Sequence, residues 1–172
     1  NSIVENILQI SRRERSRPEP LDLARWVADF VEEYKNTNPM EQDRLSCEIE
    51  GSRLEVMVDP SQLQQVLWNL VQNARRYGRM PGEPAKILVK AWRADAGAAA
   101  IDVCDQGPGI AQAKVGQLFE PFYTTHEAGT GLGLYISKQL CEANQATLAY
   151  ERPIGGGSCF RITFAPPGLF GD

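Results

Sequence analysis

Asn69 and Asn73 lie one helical turn apart, beside a row of apolar residues that recurs at helical spacing from position 63 to position 77. Asparagine is a poor residue for a helix interior, so this pair indicates a polar strip that faces a ligand, and Arg76 and Tyr77 extend it. An amide oxygen suits a hard cation such as Mg²⁺, which keeps phosphate oxygens in its coordination shell. The alternative interpretation is two solvated asparagines.

A second motif, Asp105-Gln106-Gly107-Pro108-Gly109, directly follows the apolar run 101–104. An aspartate at the end of a strand can accept a hydrogen bond from an exocyclic amine such as that of adenine. Glycines beside it let a flat ring approach the backbone. Taken alone, the same five residues also suit an ordinary tight turn.

A third motif, Gly129-Thr130-Gly131-Leu132-Gly133-Leu134, leads straight into a helical pattern. Free amides at a helix start, together with the positive end of the helix dipole, attract phosphate oxygens. No strand precedes this motif and no Gly-Lys-Ser/Thr follows it, which argues against a Rossmann fingerprint and a P-loop. A flexible loop remains the competing interpretation.

Between the second and third motifs lies a long loop that carries Phe119 and Phe122 on either side of Pro121. Long loops in compact domains are commonly lids, and we expect these aromatic residues to anchor it. The alternative is that both phenylalanines belong to the ordinary core.

The elements that position these motifs follow from apolar periodicity. Helices are predicted at 21–34, at about 59–77 and at about 132–143, and a short strand leading into the first helix is left as an alternative. Two short alternating runs at 45–50 and 54–58, joined at Gly51-Ser52, resemble a hairpin. Further strands are predicted at 85–93, 98–104, 147–151 and 158–164, which gives an α/β chain with two layers.

Composition narrows the functional classes. The 172 residues carry 18 Lys and Arg against 22 Asp and Glu, a net charge of −4. The whole chain therefore lacks the excess of positive charge that would attract nucleic acid or an anionic membrane. The four cysteines are widely spaced, which argues against structural zinc. Cys104 and Cys159 fall in predicted strands, where free cysteine behaves as a small hydrophobe, and a reducing cytoplasm is expected.

The order of these motifs resembles the histidine kinase ATPase family of the GHKL superfamily, which also includes gyrase, Hsp90 and MutL. The resemblance spans 59–164 and implies the Bergerat fold, a mixed sheet covered on one face by about three helices. It also implies ATP and Mg²⁺ as ligands, with Asn73 as the metal ligand. The residues it implies for ATP binding are Asn69, Asn73, Arg76, Tyr77, Asp105, Gly107, Gly109, Ile110, Phe122, Thr130, Gly131, Leu132, Gly133 and Leu134.

The position of Asn69 bears on the reaction. ATP hydrolases of the gyrase and Hsp90 type place a glutamate one turn before the metal-binding asparagine, whereas this chain has an amide there, which cannot accept a proton from water. The resemblance therefore implies phosphoryl transfer by a protein-histidine kinase. An ATP-driven conformational module and a serine kinase of the anti-sigma type are the alternatives.

The family's phosphorylated histidine lies on a dimerisation helix upstream of the catalytic domain. The only histidine here, His126, falls in the glycine-rich lid with Glu127, so we expect it to be a lid residue. Residues 1–17 are interpreted as the end of the dimerisation helices and 18–172 as the catalytic domain. The phosphoacceptor is then missing, and this chain alone is not expected to phosphorylate itself.

Segments in the lid, the last helix and the last strand are most similar to NtrB-type kinases. The resemblance implies the chain's own dimerisation domain as one partner and a response regulator as another, with an activator of sigma-54 promoters as the candidate regulator. It implies a cytoplasmic domain of a sensor anchored in the inner membrane, with no membrane contact by the domain itself. The fragment is expected to be a monomer and the full protein a homodimer.

Overall fold

The computed structural model describes residues 16–51, 53–123 and 132–166. The predicted remnant of the dimerisation helices falls almost entirely in residues 1–15, outside the described part. Among the described residues, no helix is long and apolar enough to cross a bilayer.

Three helices of eleven or more residues form one layer of the molecule. They are α1 (Leu23–Thr37), α2 (Pro60–Tyr77) and α4 (Gly133–Ala143), with the single turn α3 (Gln112–Val115) between the last two. Each long helix buries one apolar stripe, as the periodicity predicts. For α2 that stripe comprises Leu63, Val66, Leu67, Leu70, Val71 and Ala74.

Seven strands among the described residues supply the other layer and a small ribbon. They are β1 (Glu19–Asp22), β2 (Arg44–Ile49), β3 (Glu55–Val58), β4 (Lys86–Arg93), β5 (Ala99–Asp105), β6 (Ala146–Glu151) and β7 (Ser158–Phe164). The main sheet has the order β2-β4-β5-β7-β6, and β1 pairs with β3 in the ribbon. Only β2 and β4 run parallel, so the sheet is mixed. The predicted two-layer α/β architecture is confirmed, including the short strand before α1.

The predicted hairpin is wrong. Both of its strands exist, but β2 lies parallel to β4 and β3 lies antiparallel to β1. Gly51, with a φ of 108°, instead lies in the connection between the main sheet and the ribbon. Alternating hydrophobicity specifies that a segment is a strand, whereas the partner is decided by non-local packing.

The core lies between the helices and one face of the sheet. Strand β4 shows the division clearly, since Ile87, Val89 and Ala91 are buried while the residues between them are partly exposed. Strand β5 occupies the centre of the sheet and is buried along almost its whole length. The carboxyl end of this central strand is where the second motif begins.

The prediction that Cys104 and Cys159 are free is also wrong. They are direct partners in the antiparallel register of β5 and β7, and their sulfurs are bonded at 2.02 Å. Cys47 and Cys141 are free thiols, the first exposed and the second buried. The two cysteines are 55 residues apart in sequence, but they become neighbours because β5 pairs directly with β7, although β6 lies between these strands along the chain.

Candidate nucleotide-binding site

The start of α2 is fixed by Asp59. One carboxylate oxygen accepts hydrogen bonds from the backbone N–H groups of Ser61 and Gln62, and the other accepts from the N–H of Arg17. Burial opposes ionisation of this carboxyl, but these bonds outweigh it and lower its pKa. Asn144, just after α4, accepts from the N–H of Asp59 at 2.8 Å, which ties the two helices together.

Farther along α2, the two asparagines have different surroundings. The amide of Asn69 is engaged on both sides, since Oδ1 accepts from Gln65 at 3.1 Å and Nδ2 donates to Ser137 Oγ on α4 at 3.4 Å. The half-buried side chain of Asn73 makes no hydrogen bond to another described residue. Its amide oxygen is therefore available to a ligand.

The last turn of α2 carries the remaining residues predicted on this helix. Arg76 is exposed and Tyr77 is half-buried. They directly precede Gly78, where the helix ends and the chain passes beside the end of β5.

Asp105 ends β5 and is held from two sides. One carboxylate oxygen accepts from the N–H of Gly107 at 3.0 Å, and the other accepts from the Ser158 hydroxyl at 2.9 Å. The residue is only 8 % exposed. These bonds fix the carboxylate at the strand end while leaving each oxygen a further lone pair.

Burial raises the pKa of the Asp105 carboxyl, although hydrogen bonds from Gly107 and Ser158 oppose the rise. Removal from water disfavours the charged form more than these donors restore it. A ligand that donates one more hydrogen bond would therefore stabilise the carboxylate.

Two close backbone approaches surround Asp105. A Cβ atom on Gly78 would lie 2.5 Å from the Asp105 carboxyl carbon, and one on Gly107 would lie 2.6 Å from the carbonyl carbon of Gly78. No side chain fits at either position without a shift of the neighbouring chain. Because Gly78 and Gly107 have no side chains, the end of α2 and the second motif can lie in direct contact.

The loop after this motif is anchored by one aromatic residue, not two. Phe119 packs edge-to-face on Phe160 of β7, with ring centroids 6.2 Å apart. Phe122 is 72 % exposed and has a φ of 64°. The expectation that both phenylalanines anchor the loop is wrong for Phe122, which is outside the core.

Closer to the strand end, the same loop is fixed by a tyrosine. The N–H of Ile110 donates to the Tyr150 hydroxyl of β6 at 2.9 Å, and Gly109 has the positive φ of 79° that favours glycine. This bond holds the segment after Asp105 against the sheet.

The third motif is only partly described. Leu132 is buried and directly precedes α4, and Gly133 and Leu134 form its first turn, both half-buried. Thr130, Gly131 and His126 lie outside the described residues. The predicted helix start after the glycines is confirmed.

Sequence reasoning missed four residues that support the predicted ones. Ser137 and Asn144 bind α2 through its polar residues, while Ser158 and Gly78 surround Asp105. A glycine directly after Tyr77 and a serine at the start of the last strand were the available signals. The serine has no meaning until the pairing of β5 with β7 is known, and the glycine has none until the end of α2 is placed beside Asp105.

Residues 58–168 match the family described as histidine kinase-, DNA gyrase B- and HSP90-like ATPase. That range covers more than half of the chain and includes all three motifs. The chain belongs to this family.

Among curated members of the family, this one is 42% identical over 168 residues to the sensor protein kinase PilS of Pseudomonas aeruginosa, matching 97% of this chain and 32% of PilS. It is 32% identical to the sensor histidine kinase TmoS of Ectopseudomonas mendocina over 94% of this chain and 17% of TmoS. The chain thus spans a third or less of these relatives. The resemblance to sensor histidine kinases is confirmed.

Solved structures of the family agree with the architecture. The catalytic domain of the histidine kinase ThkA superposes with a TM-score of 0.73 at 26% identity, covering 86% of this chain and 95% of that domain. ThkA in complex with the response regulator protein TrrA superposes with a TM-score of 0.75 at 25% identity, covering 95% of this chain and 46% of the ThkA chain. The fold is that of histidine kinase catalytic domains.

Proposed function

We propose that this chain binds Mg-ATP and donates the γ-phosphoryl group to a histidine on a dimerisation domain, for relay to a response-regulator aspartate. The observation that carries the proposal is the arrangement around Asp105. A buried carboxylate with a spare lone pair on each oxygen lies where two glycines bring α2 and β5 together. This suits recognition of the adenine amine.

The other predicted ligand residues are assigned by the same reasoning. Asn73 would hold Mg²⁺ through its amide oxygen, with phosphate oxygens completing the shell. Bound Mg²⁺ would neutralise charge on the phosphates. Gly131 and Gly133, with Thr130, would face the phosphates at the start of α4, and Leu132, Leu134, Ile110 and Phe122 would surround the nucleotide.

Asn69 supports transfer over hydrolysis. Its amide bridges Gln65 and Ser137, and an amide has no basic pair to take a proton from water. Phosphoryl transfer relies mainly on positioning and charge stabilisation, so a separate acceptor can react where water is poorly activated. We therefore expect very slow ATP hydrolysis by the chain alone.

The remaining proposals concern the whole protein. PilS and TmoS are named as sensor kinases, and ThkA was solved with a response regulator. By analogy, we assign this chain to a cytoplasmic catalytic domain of an inner-membrane-anchored, homodimeric sensor. Its response regulator would be an activator of sigma-54 promoters.

The test is phosphoryl transfer in trans. The chain is mixed with a separate helical-hairpin fragment that carries the acceptor histidine, and γ-labelled ATP is added. We expect acid-labile, alkali-stable label on the hairpin and none on the chain alone. A hairpin with histidine replaced by alanine is the control.

Three outcomes count against the proposal. Intact ATP binding without label on the hairpin would remove the kinase assignment. Rapid ATP turnover by the chain alone would favour a conformational ATPase. Acid-stable phosphoserine on a partner would favour a kinase of the anti-sigma type.

A further inference from the structure

The open face of the sheet carries two adjacent cross-strand pairs between β5 and β7. Asp102 and Arg161 form the first, a bidentate ion pair at 2.9 and 3.1 Å. Cys104 and Cys159 form the second, two residues nearer the carboxyl end of β5 and on the same face of the sheet. The disulfide is therefore part of an ordered ladder of side chains on the face of the sheet that none of the described helices covers.

The bridge can be reached from solvent. Both sulfur-bearing residues line an open groove of about 1000 Å³ on this face. Cys104 is half-buried, whereas Cys159 is 6 % exposed. A small reagent would therefore meet Cys104 first.

The groove also carries cationic side chains. Five cationic and four acidic side chains line it. Arg161 is paired with Asp102 and Glu151, and Lys90 with Glu50. Among the lining residues, Arg44, Lys86 and Arg152 make no such ion pair and outnumber the two remaining acids, Glu48 and Asp105, so the local potential favours an anionic reagent although the whole chain is acidic. Glutathione, with two carboxylates and one ammonium, has that charge.

The bridge lies directly beside the residues that hold the nucleotide-site carboxylate. The next register pair after Cys104 and Cys159 is Asp105 and Ser158, whose hydroxyl donates to the carboxylate. On its other side Ser158 follows Gly157, which packs closely against the Asp105 carbonyl. The covalent bond is thus an additional restraint on the start of β7, beside its pairing with β5 and β6.

We propose that Cys104 and Cys159 are a reversible thiol–disulfide pair that exchanges with an anionic low-molecular-weight disulfide such as glutathione disulfide, and that the bridge holds Asp105 and Ser158 in the nucleotide-binding arrangement. The second half of this proposal rests on the proposed function. The first half does not.

The exchange balances in two steps. The Cys104 thiolate attacks one sulfur of glutathione disulfide, so a mixed disulfide forms and one glutathione thiolate leaves. The Cys159 thiolate then attacks the Cys104 sulfur and expels the second glutathione thiolate. The two protons lost by the cysteines pass to the two glutathione molecules, so the protein pair is oxidised and one glutathione disulfide is reduced.

The first experiment measures the pair without nucleotide. The chain carrying Cys47→Ser, which removes the exposed thiol, is equilibrated at a series of glutathione to glutathione disulfide ratios, quenched in acid, alkylated and analysed by mass spectrometry. We expect Cys104 and Cys159 to lose alkylation together in one two-electron transition. Cys141 is the internal control, because burial raises the pKa of its thiol to about 12 and keeps it unreactive.

A Cys159→Ser variant is expected to stop at the mixed disulfide on Cys104. Independent oxidation of the two cysteines, or two thiols that stay alkylated at every ratio, would overturn the pair. So would a stable glutathione adduct on Cys104 while Cys159 is present.

The second experiment measures ATP affinity of the oxidised and reduced forms by calorimetry. We expect the reduced form to bind at least about threefold more weakly, because the site is less preorganised. A Cys104→Ser/Cys159→Ser chain should match the reduced form at every glutathione ratio, and circular dichroism checks that it is folded. Equal affinities would overturn the coupling. If the pair titrates but neither form binds ATP, the proposed function fails while the redox pair stands.

Discussion

Asp105 is a buried acid of the candidate site, and each of its two carboxylate oxygens accepts a hydrogen bond from a described residue. Its neighbours Gly107 and Ser158 donate to it without neutralising it, which leaves a carboxylate that gains from one further donor. The same preference for a donor makes this residue of a turn sequence a candidate binding residue.

Replacing Asp105 with asparagine should weaken ATP binding by at least about 1.5 kcal/mol, because a charged acceptor is lost. Isothermal calorimetry measures the change. Asp95→Asn is the matched control, since that aspartate is exposed in the turn before β5 and its side chain makes no hydrogen bond or ion pair in the described structure. Unchanged affinity in Asp105→Asn would remove this residue from the site.

Gly78 offers a test of the close approach itself. Gly78→Ala would place a Cβ 2.5 Å from the Asp105 carboxyl carbon, so the end of α2 or the carboxylate must shift. The expected cost in folding stability is about 1–3 kcal/mol, together with weaker ATP binding. Urea unfolding and calorimetry on one preparation measure both.

Gly116→Ala is the control for this change, because a Cβ there meets nothing within 4 Å and its φ of −64° suits alanine. The close-approach argument is contradicted if both variants behave alike.

At the scale of single elements, α2 connects most of the site. Its first turn is capped by Asp59 and tied to Asn144, its middle is bonded to Ser137, and its end touches Asp105. A helix held at three points transmits small displacements along its length, since packed helices deform little.

The cap of α2 should make stability depend on pH. The pKa of Asp59 is lower in the folded chain than its ordinary value of 3.8, so the folded state binds this proton less readily than the unfolded state. The stabilisation is complete above 3.8 and is lost as the pH falls through the lower folded value.

Asp59→Ala should therefore cost about 1 kcal/mol at neutral pH, and much less at about pH 2. Urea unfolding at the two pH values measures the difference. Asp59→Asn, which keeps a capping oxygen but no charge, should lie between wild type and alanine at neutral pH. A cost that does not depend on pH would contradict the role assigned to the ionised carboxylate.

Elements of this chain are predictable from sequence where a signal is local. Pro60 after Asp59 fixes the start of α2, and alternation locates β7 residue by residue. The partner of a strand is not predictable from a local signal. The segment 44–49 alternates between apolar and polar residues in the same way whether it pairs with β3 or with β4. The Cys104–Cys159 bond and the contact of Ser158 with Asp105 were missed for the same reason: both depend on the β5–β7 register.

At the scale of the whole molecule, the site lies at the edge between the helical layer and the carboxyl end of the central strand. Its residues come from α2, in the first half of the sequence, and from the end of β5 and the start of α4, in the second half. A ligand that contacts them all would link the two layers, so binding should stabilise the entire fold.

Mg-ATP at a concentration of 100 times its dissociation constant should stabilise the chain by about 2.7 kcal/mol, and thermal unfolding should shift upward by several degrees. Asn73→Ala should reduce the part of that shift that requires magnesium. Differential scanning calorimetry with and without chelator measures it.

Gln64→Ala is the matched control on the exposed side of the same helix. An equal magnesium-dependent shift in Asn73→Ala would remove this residue as a metal ligand.

The bond from the Asp59 N–H to the Asn144 side chain joins residues 85 positions apart, and the ion pair of Arg161 with Asp102 joins residues 59 apart. Large loops must therefore close before the central strand acquires its second partner, β7, and such closure slows folding relative to helical bundles of similar stability. A nascent chain would leave one edge of the apolar strand β5 unpaired until β7 has been made. Binding competence thus arrives only with the last strand, so a truncated or stalled chain could not engage its ligand prematurely.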